Sequence, residues 1–276
     1  MSEPAFNIPL MRPRLPEAPA ILPYLEEIDQ NRWYSNFGPL ERRFERKLAD
    51  HFELGDRQVV CVSNCTQGLD ISLRNAARFP VGYCLMPSFT FVATPHAAIS
   101  AGLEPYFLDV ERDTWALSPE SVRDKLSAIE GPIAAVMPVA PFGASIDLSA
   151  WDAFAKETGI PVVIDAAAGF DSAAGSANPL VLSLHATKVM GIGEGGAVLC
   201  TDEAMAENIR AGRNFGFLEN RSAKLAGTNA KLSEYGAAIG LAALDCWKET
   251  RLSTHAVAQC YFNVFSECVG ITFGPC

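Results

Sequence analysis

An α/β fold with a mostly parallel, mixed sheet flanked by helices is what this 276-residue sequence predicts, and three observations carry the prediction. From Val59 onward short apolar, β-rich runs alternate with helical patterns, an order that lays strands side by side and folds the helices onto both sheet faces. Two later apolar runs, Leu180 to Leu184 and Gly196 to Cys200, are separated by a glycine-rich stretch too short for a crossover helix, so this pair is expected to run antiparallel. The β-branched run Val162-Val163-Ile164 ends in Asp165, which places a carboxylate at the carboxyl end of a buried strand.

Taken in order, residues 1–23 carry prolines at positions 4, 9, 13, 16, 19 and 23, and residues 1–30 are read as an extended arm. Leu40, Phe44 and Leu48 recur at helical spacing with charges between them, which describes an amphipathic helix stopping near Gly55. Strands are expected at Val59-Val60-Cys61-Val62, Tyr83-Cys84-Leu85-Met86, Pro105-Tyr106-Phe107-Leu108 and Ala134-Ala135-Val136-Met137. Ser118 as cap, Pro119 in the first turn and a stripe of Val122, Leu126 and Ile129 mark a helix. Beyond Met205 the pattern is helical, and the nearly all-apolar segment from Ala237 to Leu244 must be buried, against this chain or a second subunit. Gly236 and Gly240 leave room there for close helix contact. Residues 31–245 are therefore read as one large domain. Residues 246–276 are too few to fold alone and read as the start of a C-terminal small domain that is cut short.

Charge narrows the partners. The 22 Lys and Arg against 32 Asp and Glu give −10, without a basic block, which argues against nucleic acid and anionic membrane surfaces. Met1 to Phe6 has neither a basic nor an apolar leader pattern, and the uncharged run Gly131 to Ile146 is too short and too proline-broken to span a bilayer. A cytoplasmic protein is expected. The eight cysteines form no Cys-x-x-Cys pair and only four histidines are present, so free thiols and no metal site are expected.

The chemistry centres on Ser183-Leu184-His185-Ala186-Thr187-Lys188 and the glycine-rich loop from Val189 to Gly196. A lysine held there by backbone can approach a ligand closely, and an amine freed of its proton attacks an aldehyde. Lys188 also has an ordinary reading, as a solvated loop residue, and Asp165 as a cap for the Ala166-Ala167-Ala168 turn. Together, an acid at a strand end and a separate lysine are the pair that a pyridoxal phosphate enzyme needs. Gly191 to Gly196 also fits G-x-G-x-x-G, but here a lysine loop precedes it and a strand follows, the wrong context for a dinucleotide.

Several ordered pieces carry a resemblance: Gly38-Pro39-Leu40-Glu41, Ser63-Asn64-Cys65-Thr66, Pro87 to Thr94, Asp165-Ala166-Ala167, Ser183 to Lys188 with Gly193-Glu194-Gly195-Gly196, Asn214-Phe215-Gly216, and Gly227 to Lys231. With these, the chain from about Asn31 to past Asp245 resembles the DegT/DnrJ/EryC1/StrS family of sugar aminotransferases. The resemblance implies the large domain of pyridoxal phosphate enzymes of fold type I. It implies that Lys188 forms the internal aldimine, that Asp165 pairs with the pyridinium nitrogen, and that Phe91 stacks on the ring. Cys65, Thr66 and Ser183 would hold the phosphate, and Asn229 would reach the cofactor of a neighbouring subunit, giving a homodimer with shared sites. The implied reaction moves an amino group from an amino acid, with glutamate the expected donor, to a nucleotide-linked keto sugar through a pyridoxamine phosphate intermediate.

Departures from the family pattern are Ala168 where Gln or His is usual, Cys65 for the glycine of a Gly-Thr turn, Lys231 for an arginine, and Ala140-Pro141 where a histidine often precedes Phe142-Gly143. Family chains also usually continue past Cys276. The alternatives are a member that binds pyridoxal phosphate or sugar without turnover, or a pyridoxamine-dependent sugar dehydratase. Relatives of the latter kind carry histidine in place of Lys188. The role of His185 is open.

Overall fold

The computed structural model describes residues 11–173, 175–266, 268 and 274. Its strands are β1 (Val59–Val62), β2 (Tyr83–Pro87), β3 (Glu104–Leu108), β4 (Ile133–Val136), β5 (Ile164–Asp165), β6 (Leu180–Ser183) and β7 (Gly196–Leu199). Two ladders, β1-β7-β6-β5 and β3-β2-β4, are joined by the parallel bridges Val136–Val162 and Val139–Asp165. The sheet therefore runs β3-β2-β4-β5-β6-β7-β1. Strand β7 is antiparallel to both neighbours, with Gly196 opposite Val62 on one side and Ser183 on the other. The short glycine loop before β7 allows only that return, as the spacing predicts.

Period-two alternation builds a core on each face. Val59 and Cys61 of β1, Leu180 and Leu182 of β6, and Ala197 and Leu199 of β7 enter one core with Phe44, Leu48, Trp151 and Phe154. Val60, Val62, Val181 and Val198 enter the other with Leu69, Leu73, Ala97 and Ile209. The first core lies under α2 (Pro39–His51), α6 (Leu148–Thr158) and α8 (Glu234–Asp245). The second lies under α3 (Cys65–Ala76), α4 (Ala93–Ser100) and α7 (Glu203–Gly212). The marked helix after Ser118 is α5 (Pro119–Leu126), capped by the Ser118 hydroxyl at the Ser121 N–H.

The apolar helix α8 is buried within this chain, against α2. A Cβ on Gly240 would lie 2.5 Å from the Phe44 ring, so the contact requires glycine. At the same seam both oxygens of Glu234 accept the N–H groups of Leu40 and Glu41 at 2.8 Å, capping α2 with a negative charge where its dipole favours one.

Two expectations are corrected. The arm over residues 1–30 is not extended throughout: Ala18–Asn31 forms helix α1, while residues 1–10 lie outside the described residues. Pro19 sits in the first turn, where its missing N–H costs nothing. Despite Pro23, the stripe Ile21, Tyr24, Leu25 and Ile28 is spaced to pack on the first core, and that burial outweighs the lost hydrogen bond. Helix α2 ends at His51 rather than near Gly55, because Glu53 adopts a left-handed conformation (φ 55°).

Residues 247–265 form α9, anchored by buried Trp247, whose indole N–H donates to Asp171 at 2.9 Å. Residues 267, 269–273, 275 and 276 lie outside the described residues. Among the described residues, no helix is long and apolar enough to cross a membrane.

Candidate active site

Asp165 ends β5 near the middle of the sheet, at the carboxyl edge where parallel α/β sheets bind ligands. It is 4% exposed. One oxygen accepts the Thr94 hydroxyl at 2.7 Å and the other the Ala167 N–H at 3.1 Å. Burial pushes its pKa up, against the pull of those two donors and of the Lys188 charge. The Ala167 bond is the turn-capping role, and it coexists with an oxygen pair held in place for a ligand. A protonated ring nitrogen is the complement that such a desolvated carboxylate lacks, so the site fits a pyridinium. Thr94 is a residue the sequence reading passed over; its signal was Thr90 one helical turn earlier, whose hydroxyl lies 2.6 Å away.

Lys188 lies in the loop from β6 to β7, as expected. Backbone bonds from Leu184 N–H to Gly195 and from Ala186 N–H to Gly193 close this loop, and the Lys188 N–H donates to the His185 carbonyl at 2.8 Å. Glycine is required at 191, where a Cβ would meet the Ala186 carbonyl oxygen at 2.9 Å. The side chain is half-buried, and its charge lowers the pKa of both Asp165 and Cys65 against their burial. His185 bonds Thr187 through Nδ1 at 2.8 Å and braces the loop.

The third part is an anion cradle. Helix α3 opens at Cys65, and its cap is Asn64, which accepts the Gln67 N–H at 2.9 Å. That cap leaves the N–H groups of Cys65 and Thr66 in the unpaired first turn. Gly196 lies beneath them: a Cβ there would sit 2.8 Å from the Cys65 nitrogen. Because Ser183 is the cross-strand partner of Gly196, its hydroxyl borders the same helix terminus. A helix N-terminus with two free N–H groups and nearby hydroxyls suits a phosphate. Burial pushes the Cys65 thiol well up, so it stays neutral there.

Phe91 is 77% exposed one turn before Thr94, whose N–H donates to the Phe91 carbonyl at 3.1 Å. Asp165, Lys188, Cys65, Thr66, Ser183 and Phe91 thus share one sheet edge. Asn229 stands on the rim instead, bridged to Asn214, its side-chain oxygen taken by Lys231 at 2.5 Å. A separate cavity of about 720 Å³, lined by Glu41, Glu45, Arg210 and Arg213 among others, includes none of these seven residues.

The mixed sheet in the order β3-β2-β4-β5-β6-β7-β1, flanked by helices, has the fold of pyridoxal phosphate-dependent aminotransferases of fold type I. The chain belongs to the DegT/DnrJ/EryC1/StrS aminotransferase family, whose sequence model matches residues 17–275. Protein Rv3402c of Mycobacterium tuberculosis is 36% identical over 280 residues, 97% of this chain and 67% of the relative. The dTDP-4-amino-4,6-dideoxy-D-glucose transaminase of Shigella dysenteriae is 33% identical over 251 residues, 89% of this chain and 66% of the relative. A Bacillus cereus crystal structure classed as a PLP-dependent aminotransferase superposes with a TM-score of 0.89 at 36% identity, covering 95% of this chain and 73% of that one. The chain spans about two thirds of the length of these curated relatives.

Asp165→Asn tests the cofactor fit through both the free and the cofactor-bound protein. Because burial raises the carboxyl pKa, the ionised form is a stability penalty that grows as pH rises from the unfolded value through the folded one. The cofactor-free variant is expected to melt at the same temperature as the parent or higher at pH 7, while binding pyridoxal phosphate more weakly. Thermal melts with and without cofactor check it, and unchanged cofactor affinity would remove Asp165 from the site.

Proposed function

We propose that this chain moves an amino group from an amino acid, with glutamate as donor, to a keto sugar carried on a nucleotide, using pyridoxal phosphate. The observation that carries the reading is Asp165: a carboxylate buried at a sheet edge, gripped by Thr94 and the Ala167 N–H, on the edge that also holds half-buried Lys188. In support of the sugar, the Shigella relative is named for a dTDP-linked amino sugar. Pyridoxal phosphate, when bound, supplies a protonated ring that withdraws electrons from the carbon losing its proton.

The chain's own residues do the rest. Asp165 accepts the hydrogen bond of the ring nitrogen and keeps it protonated. The N–H groups of Cys65 and Thr66, with the Thr66 and Ser183 hydroxyls, receive the phosphate. Phe91 covers a ring face and excludes water from it. Lys188 Nζ would hold the cofactor at rest and, once the incoming substrate amine displaces it, would take a proton from the amino-bearing carbon and return it. Asn229, on the rim, is read as reaching the phosphate site of a second subunit, which makes the working unit a homodimer.

The test is a visible spectrum of the protein with pyridoxal phosphate, before and after borohydride. A reducible band, its modified peptide mapping to Lys188 and its colour bleached by glutamate, is the expected result. Absence of the band would end the catalytic reading.

A further inference from the structure

Three loops leave the carboxyl ends of neighbouring parallel strands, and each delivers one aromatic ring to a common point. Phe89 follows β2, Trp115 follows β3 and Phe142 follows β4. Ring centroids are 5.8 Å apart for Phe89–Trp115, 6.0 Å for Phe89–Phe142 and 6.2 Å for Trp115–Phe142. Instead of entering the core they stand 45%, 38% and 76% exposed, in that order of residue number. Trp115 and Phe142 hold left-handed backbone conformations (φ 54° and 53°), which bulky residues avoid. Gly274 lies against the Trp115 ring, and Phe142 is the most exposed of the three.

The cluster is tied to the acid of the candidate site. The Ala140 N–H donates to the Asp165 carbonyl at 2.9 Å, and the Gly143 carbonyl accepts the Ser172 hydroxyl at 2.6 Å. A Cβ on Gly143 would sit 2.3 Å from the Ala168 carbonyl oxygen, so the turn carrying Phe142 is pressed onto the loop that follows Asp165. Along the sheet edge β2 lies two strands from β5, a span of roughly 10 Å. That is a distance a diphosphate and a ribose can bridge between a reacting sugar and its base.

We infer that Phe89 and Phe142, buttressed by Trp115, form a stacking face for the base of the substrate's nucleotide, a pyrimidine on a diphosphate. The inference rests on the reading of this edge as the site of a nucleotide-linked sugar. Aromatic faces hold bases by stacking, and removing one such ring weakens binding measurably. The face lies on the same edge as Phe91, so one elongated substrate meets both.

Calorimetric titration with thymidine diphosphate, with inorganic pyrophosphate as a second probe, tests the proposal on the whole chain. Saturable binding of thymidine diphosphate is expected, tighter than that of pyrophosphate. Phe89→Ala and Phe142→Ala should each weaken it about tenfold or more, and Phe142→Tyr should retain it. Phe142→Gly serves as a second deletion that suits the left-handed backbone, so a folded variant lacking the ring is available. The pyridoxal phosphate band should be unchanged in all of them. No binding to the parent chain, equal affinity for pyrophosphate, or full affinity in the ring-deleted variants would overturn the assignment. So would a lower solution mass of Phe142→Gly with unaltered nucleotide affinity, which would give the face to a second copy of this chain. Ring-dependent nucleotide binding in a protein with no cofactor band would fail the catalytic reading alone and leave this one standing.

Discussion

Lys188→Ala is expected to abolish the borohydride-reducible band and to lower turnover by at least about 10²- to 10⁴-fold, the range supplied by a positioned acid–base group. The fold should be indifferent to the change. Lys188 stands in a loop closed by backbone bonds and is absent from both cores, so the melting temperature should move little. Cofactor should still bind non-covalently, because Asp165, the cradle at Cys65 and Thr66, and Phe91 remain. The variant therefore separates capture of the cofactor from its chemistry. Turnover at the parent rate by Lys188→Ala would sink the mechanism whatever the spectrum showed.

Arg213→Met is expected to cost about 3–5 kcal/mol of stability, the loss usual when one partner of a buried ion cluster is removed. Arg213 is 3% exposed and reaches Glu41 at 2.7 Å, Glu45 at 2.9 Å and the Cys61 carbonyl, with the Phe37 ring 4.6 Å from its guanidinium centre. Two carboxylates share this cation. Glu41 is pushed up to about 7, first by burial and then by Glu45 and Glu234, against the pull of Arg213. Without the arginine, buried Glu41 faces a larger penalty when ionised. Its folded pKa then lies further above the unfolded one, so its contribution is intact in acid and is lost as pH rises through 7. Urea melts across pH 5 to 9 should show the variant nearest the parent at the acid end and worst at the alkaline end. Adding Glu41→Gln should recover part of the loss, and a parent-like pH profile would contradict the cluster's role.

How much of this could be read from the residues differs by element. All seven strands of the described residues and the antiparallel turn-back at β7 were legible, since fully apolar runs punctuated by glycine and proline leave few other arrangements. The sheet edge shared by Asp165 and Lys188 was legible because strand ends and glycine loops have fixed places in such a sheet. Helix α1 was not, because its prolines masked a stripe whose value depends on a distant core. Thr94 was missed for a related reason: a threonine in a short helix is neutral until the carboxylate it serves is brought beside it from 71 residues away. The Arg213 cluster joins α2, β1 and the end of α7, and no local pattern marks such a meeting. Arg42 and Arg46, on α2 beside Glu41 and Glu45, look no different in sequence from Arg213.

Strand β7 also sets a timetable. Among the described residues β1 pairs with no other strand, so its partner arrives only when the chain has been made through Leu199. Until then the apolar row from Val59 to Val62 has no ladder, and in the folded chain its opposite rim meets Glu45 at the Cys61 N–H and Arg213 and Arg210 at the Cys61 and Val59 carbonyls. Both arginines lie downstream of β7. A ribosome thus releases β1 long before either of its rims can be satisfied, and loop closure over that separation is slow. Sheet completion should be the late step of folding, and a nascent chain stalled before residue 196 should present β1 as a sticky edge to chaperones and to other copies of itself.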